Sequence, residues 1–228
     1  VLEKGMSSSR QTRAPRGARK PAGSYHHGNL RTALVECGMR LLEKEGAGEL
    51  SLRRTAALAG VSPAAPAHHF GDKTGLLAAI AAEGFRRLMA QARTAIEASP
   101  SGASVDVLVL NYVRFARDNR ALFQVMFGPD FPEKSRHPEL GEIADKSFRG
   151  LDGAVRRHME GEARRHRVDD TLAVWSLMHG LAALVAERQR APVGAEAPAI
   201  ESVVPDATAA LLAGLVARAP RRRRSASA

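Results

Sequence analysis

The chain of 228 residues holds a single cysteine, Cys37, so an internal disulfide is excluded. It has no long uninterrupted apolar run. The longest, near 172–186, is broken by Ser176 and His179 and falls short of the roughly 20 residues a bilayer span needs. No positively charged segment leading into an apolar stretch stands near the start, so no signal peptide is expected, although the first residue is Val and a Met follows at position 6. A nucleophile elbow, a phosphate-cradling glycine loop and a cysteine cluster are all missing, which argues against the common hydrolase, nucleotide and zinc chemistries. Alternating β-branched runs are few. Together these absences predict a soluble, cytoplasmic, all-α protein with no cofactor, no metal and no membrane partner.

Hydrophobic residues make up 44% of the chain, enough for a real core. The formal net charge is +10, and all of it sits at the two ends. Residues 1–24 carry Lys4, Arg10, Arg13, Arg16, Arg19 and Lys20 against Glu3, a net of +5. Residues 218–228 carry Arg218 and Arg221 to Arg224, another +5, while 25–217 balance at 23 charges of each sign. Basicity therefore marks the tails, as arms for any polyanion or as plain solubilising segments, and does not mark the folded body. The segments 1–24 and 219–228 are expected to be disordered, 25–75 to form a head, and 76–218 a second, larger unit.

Helical periodicity runs through everything between the tails. Leu30, Leu34, Cys37 and Leu41 fall on one stripe of a first helix that stops at Gly46 and Gly48. Ser51 can cap a second helix whose inward positions are Leu52, Thr55 or Ala56, and Ala59, with Gly60 suited to the left-handed residue beyond it. Ser62 followed by Pro63 signals the start of a third helix. It runs to Phe70, the expected core anchor, before Gly71 stops it. Asp72 caps a long fourth helix carrying Leu76, Leu77, Ile80 and Leu88. Further helices are expected near 104–118, 119–127, 138–160, 169–190 and 203–218, about nine in all, with loops at 128–137 and 191–201.

Residues 51–70 thus read as helix, tight turn, helix. Ala64, Ala65 and Ala67 give the second helix little bulk, and His68 and His69 can donate to phosphates or base edges, so it fits a major groove about 12 Å wide. On spacing alone an ordinary helical hairpin stays open. The spaced set Glu45-Gly46, Ser51-Leu52-Arg53, Ala59-Gly60-Val61-Ser62, His69-Phe70, Asp72-Lys73 and Leu76-Leu77 carries the reading further. It resembles the N-terminal domain of the TetR family of repressors. The resemblance implies operator DNA as partner. Ser51 and Arg53 would touch it from the second helix, Ser62, Ala64, Ala65, His68 and His69 would face the groove, and Lys73 would clamp a phosphate. One position departs from the family pattern: Ala67 stands where a tyrosine is usual, which predicts a weaker or more tail-dependent grip.

The segment from Leu172 to Ala186 is apolar nearly all round, and 203–217 is almost uncharged, so each must be covered on several sides. The resemblance implies that these last two helices pair a homodimer, whose two-fold axis would match a palindromic operator. Trp175, His179 and Gly180 form a Trp-x-x-x-His-Gly pattern that resembles the C-terminal domain of one branch of the family. Trp175 and His179 share a helix face, as pocket residues or as a core Trp beside a hydrogen-bonded His. A pocket for a small, partly apolar effector is expected from Phe115, Phe123, Met126, Phe127, Trp175, Met178 and His179, with Tyr112, Phe148 and Leu151 beside them. A stripe of Phe and Met is more often plain core than pocket.

Metal binding is not expected. Adjacent histidines such as His68 and His69 diverge by about 100° on a helix and chelate poorly, and arginines surround His158 and Glu162. Cys37 reads as packing. The rival functions are a helical ligand-binding protein or enzyme on the same scaffold, and a non-specific DNA binder held by its tails. Binding to an upstream palindrome against random DNA separates them.

Overall fold

The computed structural model describes residues 27–102, 104–129, 131–162, 164–186 and 200–219. The basic segments 1–24 and 220–228 and most of the expected loop 191–201 lie outside the described residues. Within them the chain forms nine α-helices and one short 3-10 turn, with no β-strand. The helices are α1 (His27–Glu45), α2 (Leu52–Ala59), α3 (Ala64–Phe70), α4 (Lys73–Ala98), α5 (Val105–Asp118), α6 (Arg120–Phe127), α7 (Pro138–Gly161), α8 (Val168–Ala186) and α9 (Ile200–Arg218).

Local chemistry sets the boundaries of the head. Gly46, Gly60 and Gly71 all have positive φ and end α1, α2 and α3. The Ser51 side chain accepts from the Arg54 amide, and Asp72 accepts from the Gly75 amide at 2.8 Å, so α2 and α4 are capped as expected. Ser62 behaves differently. Helix α3 begins at Ala64 without a side-chain cap, and the Ser62 carbonyl takes the Ala65 amide instead. With Pro63 already helical, the chain enters α3 by a tight turn. Pro66 is buried in α3 at its third position, where an amide would have no helical partner in any case. Leu34, Leu50, Leu76 and Ile80 are essentially inaccessible and form the centre of the head with Leu42.

Helix α4 joins the head to the body. It packs on α1 and α3 at its start and on α5, α6 and α7 further along. At Gly84 a Cβ would stand 2.5 Å from Met126 Sδ, so the glycine allows α6 to press on α4. Helix α5 is the hub of the body, in contact with α4, α8 and α9. Helix α9 begins three residues earlier than the sequence pattern suggested and runs through Pro205. The expected loop at 128–137 contains a 3-10 turn, Lys134–Arg136.

Helix α8, at 19 residues, is long and apolar enough by composition to cross a membrane, which corrects the expectation that the 172–186 run is too short. Its inner face, with Val174, Met178 and Ala182, packs within the bundle against α5, α7 and α9, while Leu172 and Leu184 stay exposed. Asp170 in its first turn is 1% exposed, accepts from the Arg167 amide and meets the Arg218 guanidinium of α9 at 2.9 Å. Beside it, Asp152 of α7 accepts from Thr171 at 2.7 Å and lies 3.2 Å from His166. Burial would raise the Asp152 carboxyl, but the Thr171 hydroxyl and Arg156 outweigh it and hold the group below its usual range.

Candidate nucleic-acid interface and cavity

The head presents α3 outward. Ser62, Pro63, Ala64, Ala67 and His68 are exposed, and Ala65 and His69 are partly covered. Phe70 turns in against the core and carries the Arg31 guanidinium 5.6 Å above its ring. Arg53 on α2 and Lys73 at the start of α4 are exposed on either side. Lys73 Nζ rests 3.4 Å from the Gly48 carbonyl, and Ser51 is occupied with its cap. All eight residues singled out from the sequence lie on or beside α2, α3 and the start of α4, which pack on one another in that order, with Ser51 committed to the fold.

The electrostatics of that stretch are one-sided. No aspartate or glutamate lies between Glu49 and Asp72. Arg54 is neutralised by Glu45 and by Glu49 at 2.9 Å. Arg53 has no ion-pair or hydrogen-bond partner among the described residues, so its charge is free. Leu58, not singled out from the sequence, is 47% exposed on α2. Its outward position on a short helix is visible only once the helix direction is known.

The body contains a cavity of about 660 Å³ among α4, α5, α6, α7 and α8. Its walls are largely aromatic and apolar: Phe85, Tyr112, Met126, Phe127, Phe131, Phe148, Leu151, Trp175 and Met178. A smaller cavity of about 410 Å³ adjoins it between α4, α5 and α7, sharing Tyr112, Ser147, Arg149, Leu151 and Met178. Of the seven expected pocket residues, Met126, Phe127, Trp175 and Met178 line the larger cavity. Phe123 and His179 line a separate one of about 370 Å³ that reaches Ala47 and Leu77. Phe115 is 1% exposed and lines none of these cavities. Phe85, Phe131 and Arg149 carry no such signal in the sequence. Phe85 is on α4, Phe131 in the loop after α6 and Arg149 on α7, and no periodicity links them.

His179 sits in an aromatic box between the two spaces. Its ring stacks on Trp175 at 5.2 Å and on Phe123 at 5.7 Å and meets Phe127 edge-on. Its Nδ1 lies 3.0 Å from the Tyr112 hydroxyl, which donates when that nitrogen carries no proton. Burial lowers the His179 pKa and raises that of Tyr112, so both are held neutral. The cluster offers an apolar or aromatic molecule rings to pack on.

Among the described residues, an outward short helix after a tight turn on an all-helical frame with an apolar cavity is the architecture of helix-turn-helix regulators. Residues 34–80 match the family model described as bacterial regulatory proteins, tetR family, and residues 105–206 match the Tetracyclin repressor-like, C-terminal domain. The chain belongs to the TetR family of DNA-binding transcriptional regulators, and it is a transcription factor rather than an enzyme. It is similar to a protein of unknown function from Rhodococcus sp. RHA1, with 32% identity over 85% of this chain and 98% of that one and a TM-score of 0.70. Its fold is shared with the TetR family transcriptional regulator PfmR from Thermus thermophilus, at 23% identity over 80% and 98% of the two chains and a TM-score of 0.55. A tetR-family regulatory protein from Rhodococcus RHA1 shares it too, at 19% identity over 81% and 95% and a TM-score of 0.57. No curated protein matches the chain in sequence.

Proposed function

We propose that this regulator is a repressor that holds a palindromic operator as a two-fold dimer and releases it when a small molecule enters the body. The observation that carries the reading is the continuity of α4. Lys73 at its start adjoins α3, and Phe85 on the same helix lines the larger cavity. A ligand that shifts Phe85 or Met126 moves the rod on which α3 is mounted. Release then follows if the ligand prefers the form whose two α3 helices are wrongly spaced for successive grooves.

Arg53 and Lys73 set register on phosphates, with Ser51 fixing the start of α2. Ser62, Ala64, Ala65, His68 and His69 face the bases, with alanine methyls suited to thymine methyls and imidazoles to purine edges. The segment 1–24 acts as an added basic arm, 25–75 as the DNA-binding unit, and 76–218 as the effector and dimer unit. The Trp-x-x-x-His-Gly pattern assigns the chain to one branch of the family. Dimer pairing uses the outer face of α8, where Leu172, Ser176, Gly180 and Leu184 are exposed, and that of α9, where Ala209, Ala210, Ala213, Gly214 and Ala217 are exposed. Small residues there allow close helix approach.

The test is salt-titrated binding of the purified dimer to the palindrome upstream of its own gene against random DNA. Preference for the palindrome is expected, with half-sites about one helical turn apart or slightly more. Equal affinity for random DNA at every salt concentration overturns the operator reading. Arg53→Ala should weaken binding to all sequences and reduce the salt slope by about 1. Deleting residues 1–24 should also lower affinity and slope, and an unchanged slope removes the arm from the mechanism.

A further inference from the structure

The charges around the joined cavities identify the kind of molecule they take. The smaller cavity is floored by apolar side chains including Leu88, Ile96 and Leu108, and its charged lining is entirely cationic: Arg93, Lys146, Arg149 and Arg157. The larger cavity has Lys134 and Asp145 at its rim, paired with each other at 3.2 Å and so cancelling. Arg149 lines both spaces.

Several arginines of the body are matched to carboxylates. Arg86 and Arg87 pair with Glu83, Arg156 with Asp152, Arg167 with Asp169 and Arg218 with Asp170. Arg149 has no ion pair and no hydrogen bond among the described residues, and neither has Lys146. An unmatched guanidinium at the junction of two apolar chambers presents a planar, permanently charged fork suited to a carboxylate or similar acid group. Tyr112, at the same junction, is held neutral by burial and adds no competing negative charge.

We propose that the effector is an amphipathic anion, with an acyl or aromatic body among Phe127, Phe148, Trp175 and Met178 and an acid group on Arg149, assisted by Lys146. This rests on the reading of the joined cavities as the effector site, and the experiment separates the two. Trp175 is the sole tryptophan of the chain and lines the larger cavity, so its emission reports occupancy directly.

The full-length protein is titrated below micellar concentrations with decanoate, decanol and decyltrimethylammonium, and with naphthylacetate against naphthylacetamide. In each series the acid is expected to saturate the Trp175 signal at a concentration at least tenfold lower than its neutral or cationic counterpart. Arg149→Gln is expected to abolish that preference while leaving decanol binding unchanged, Arg149→Glu to reverse it, and Lys146→Gln to reduce it a few-fold. Saturable binding with no preference for the acid, or a preference that survives Arg149→Gln, overturns the anion assignment and leaves the cavity as the effector site. No Trp175 response to any member of either series overturns both.

Discussion

The head is packed solid and the body is packed around a hole. In the head, Leu34, Leu50, Leu76 and Ile80 are 0–1% exposed, and none of them lines a cavity described above. In the body, large rings meet across open space, and Met178 borders both joined chambers. The head is therefore expected to move as one rigid piece and the body to deform, which is the division of labour a switch requires. The body keeps its shape with polar pins such as Asp170–Arg218 as well as with packing.

Four measurements break or sharpen this contrast. The largest effect is expected for Leu50→Ala, which should lower unfolding free energy by about 2–5 kcal/mol in urea titration. Met178→Ala should cost less than half as much, because a side chain facing a void has fewer contacts to lose. Equal losses would mean that the head and the body are equally tight. Asp170→Ala comes next. It strips the buried acceptor from the Arg167 amide and from Arg218, and it should cost about 1–3 kcal/mol, with α9 exchanging its amides faster. Gly84→Ala should follow. Its methyl pushes on Met126 Sδ and Leu122, and the expected result is a modest stability loss with a measurable change in operator affinity. A change in stability alone would detach α6 from the coupling between body and head.

The smallest effect is the pH dependence of His179. Burial lowers its pKa in the folded protein, so the folded state binds the proton less readily than the unfolded chain. Its contribution is complete above the usual value of about 6.5 and is lost as pH falls through the depressed one. His179→Phe should flatten the fall in urea midpoint between neutral and mildly acid pH. An unchanged slope would assign that dependence to other groups.

The head is the more legible of the two in sequence because its signals are local. Ser51, Gly60, Gly71 and Asp72 each act on residues within one turn, and all four stand where the pattern puts them. At Ser62 the position is as expected, with Pro63 already helical, but the Ala65 amide is taken by the serine's carbonyl and not by its side chain. Helix periodicity also finds the inward stripe of α5, but it distinguishes inside from outside, not a filled interior from an empty one. Phe115, expected at the pocket, is buried and lines none of the cavities, while Tyr112, one turn away, faces the larger one. Trp175 and His179 do share a face, and that face spans two separate spaces. Arg149 is silent in the sequence, since its significance lies in the carboxylate it lacks, which only the positions of every other acid can reveal.

The buried ring of Pro66 has a consequence for how DNA is met. A seven-residue helix has few internal bonds with which to hold itself together, and one made of flexible residues would have to be ordered anew by each encounter with the duplex. A proline, locked in φ and wedged against the rest of the head, removes much of that freedom before any DNA is present. On the proposed reading, the α3 surface would reach the groove already shaped, and association would forfeit little further entropy in ordering it.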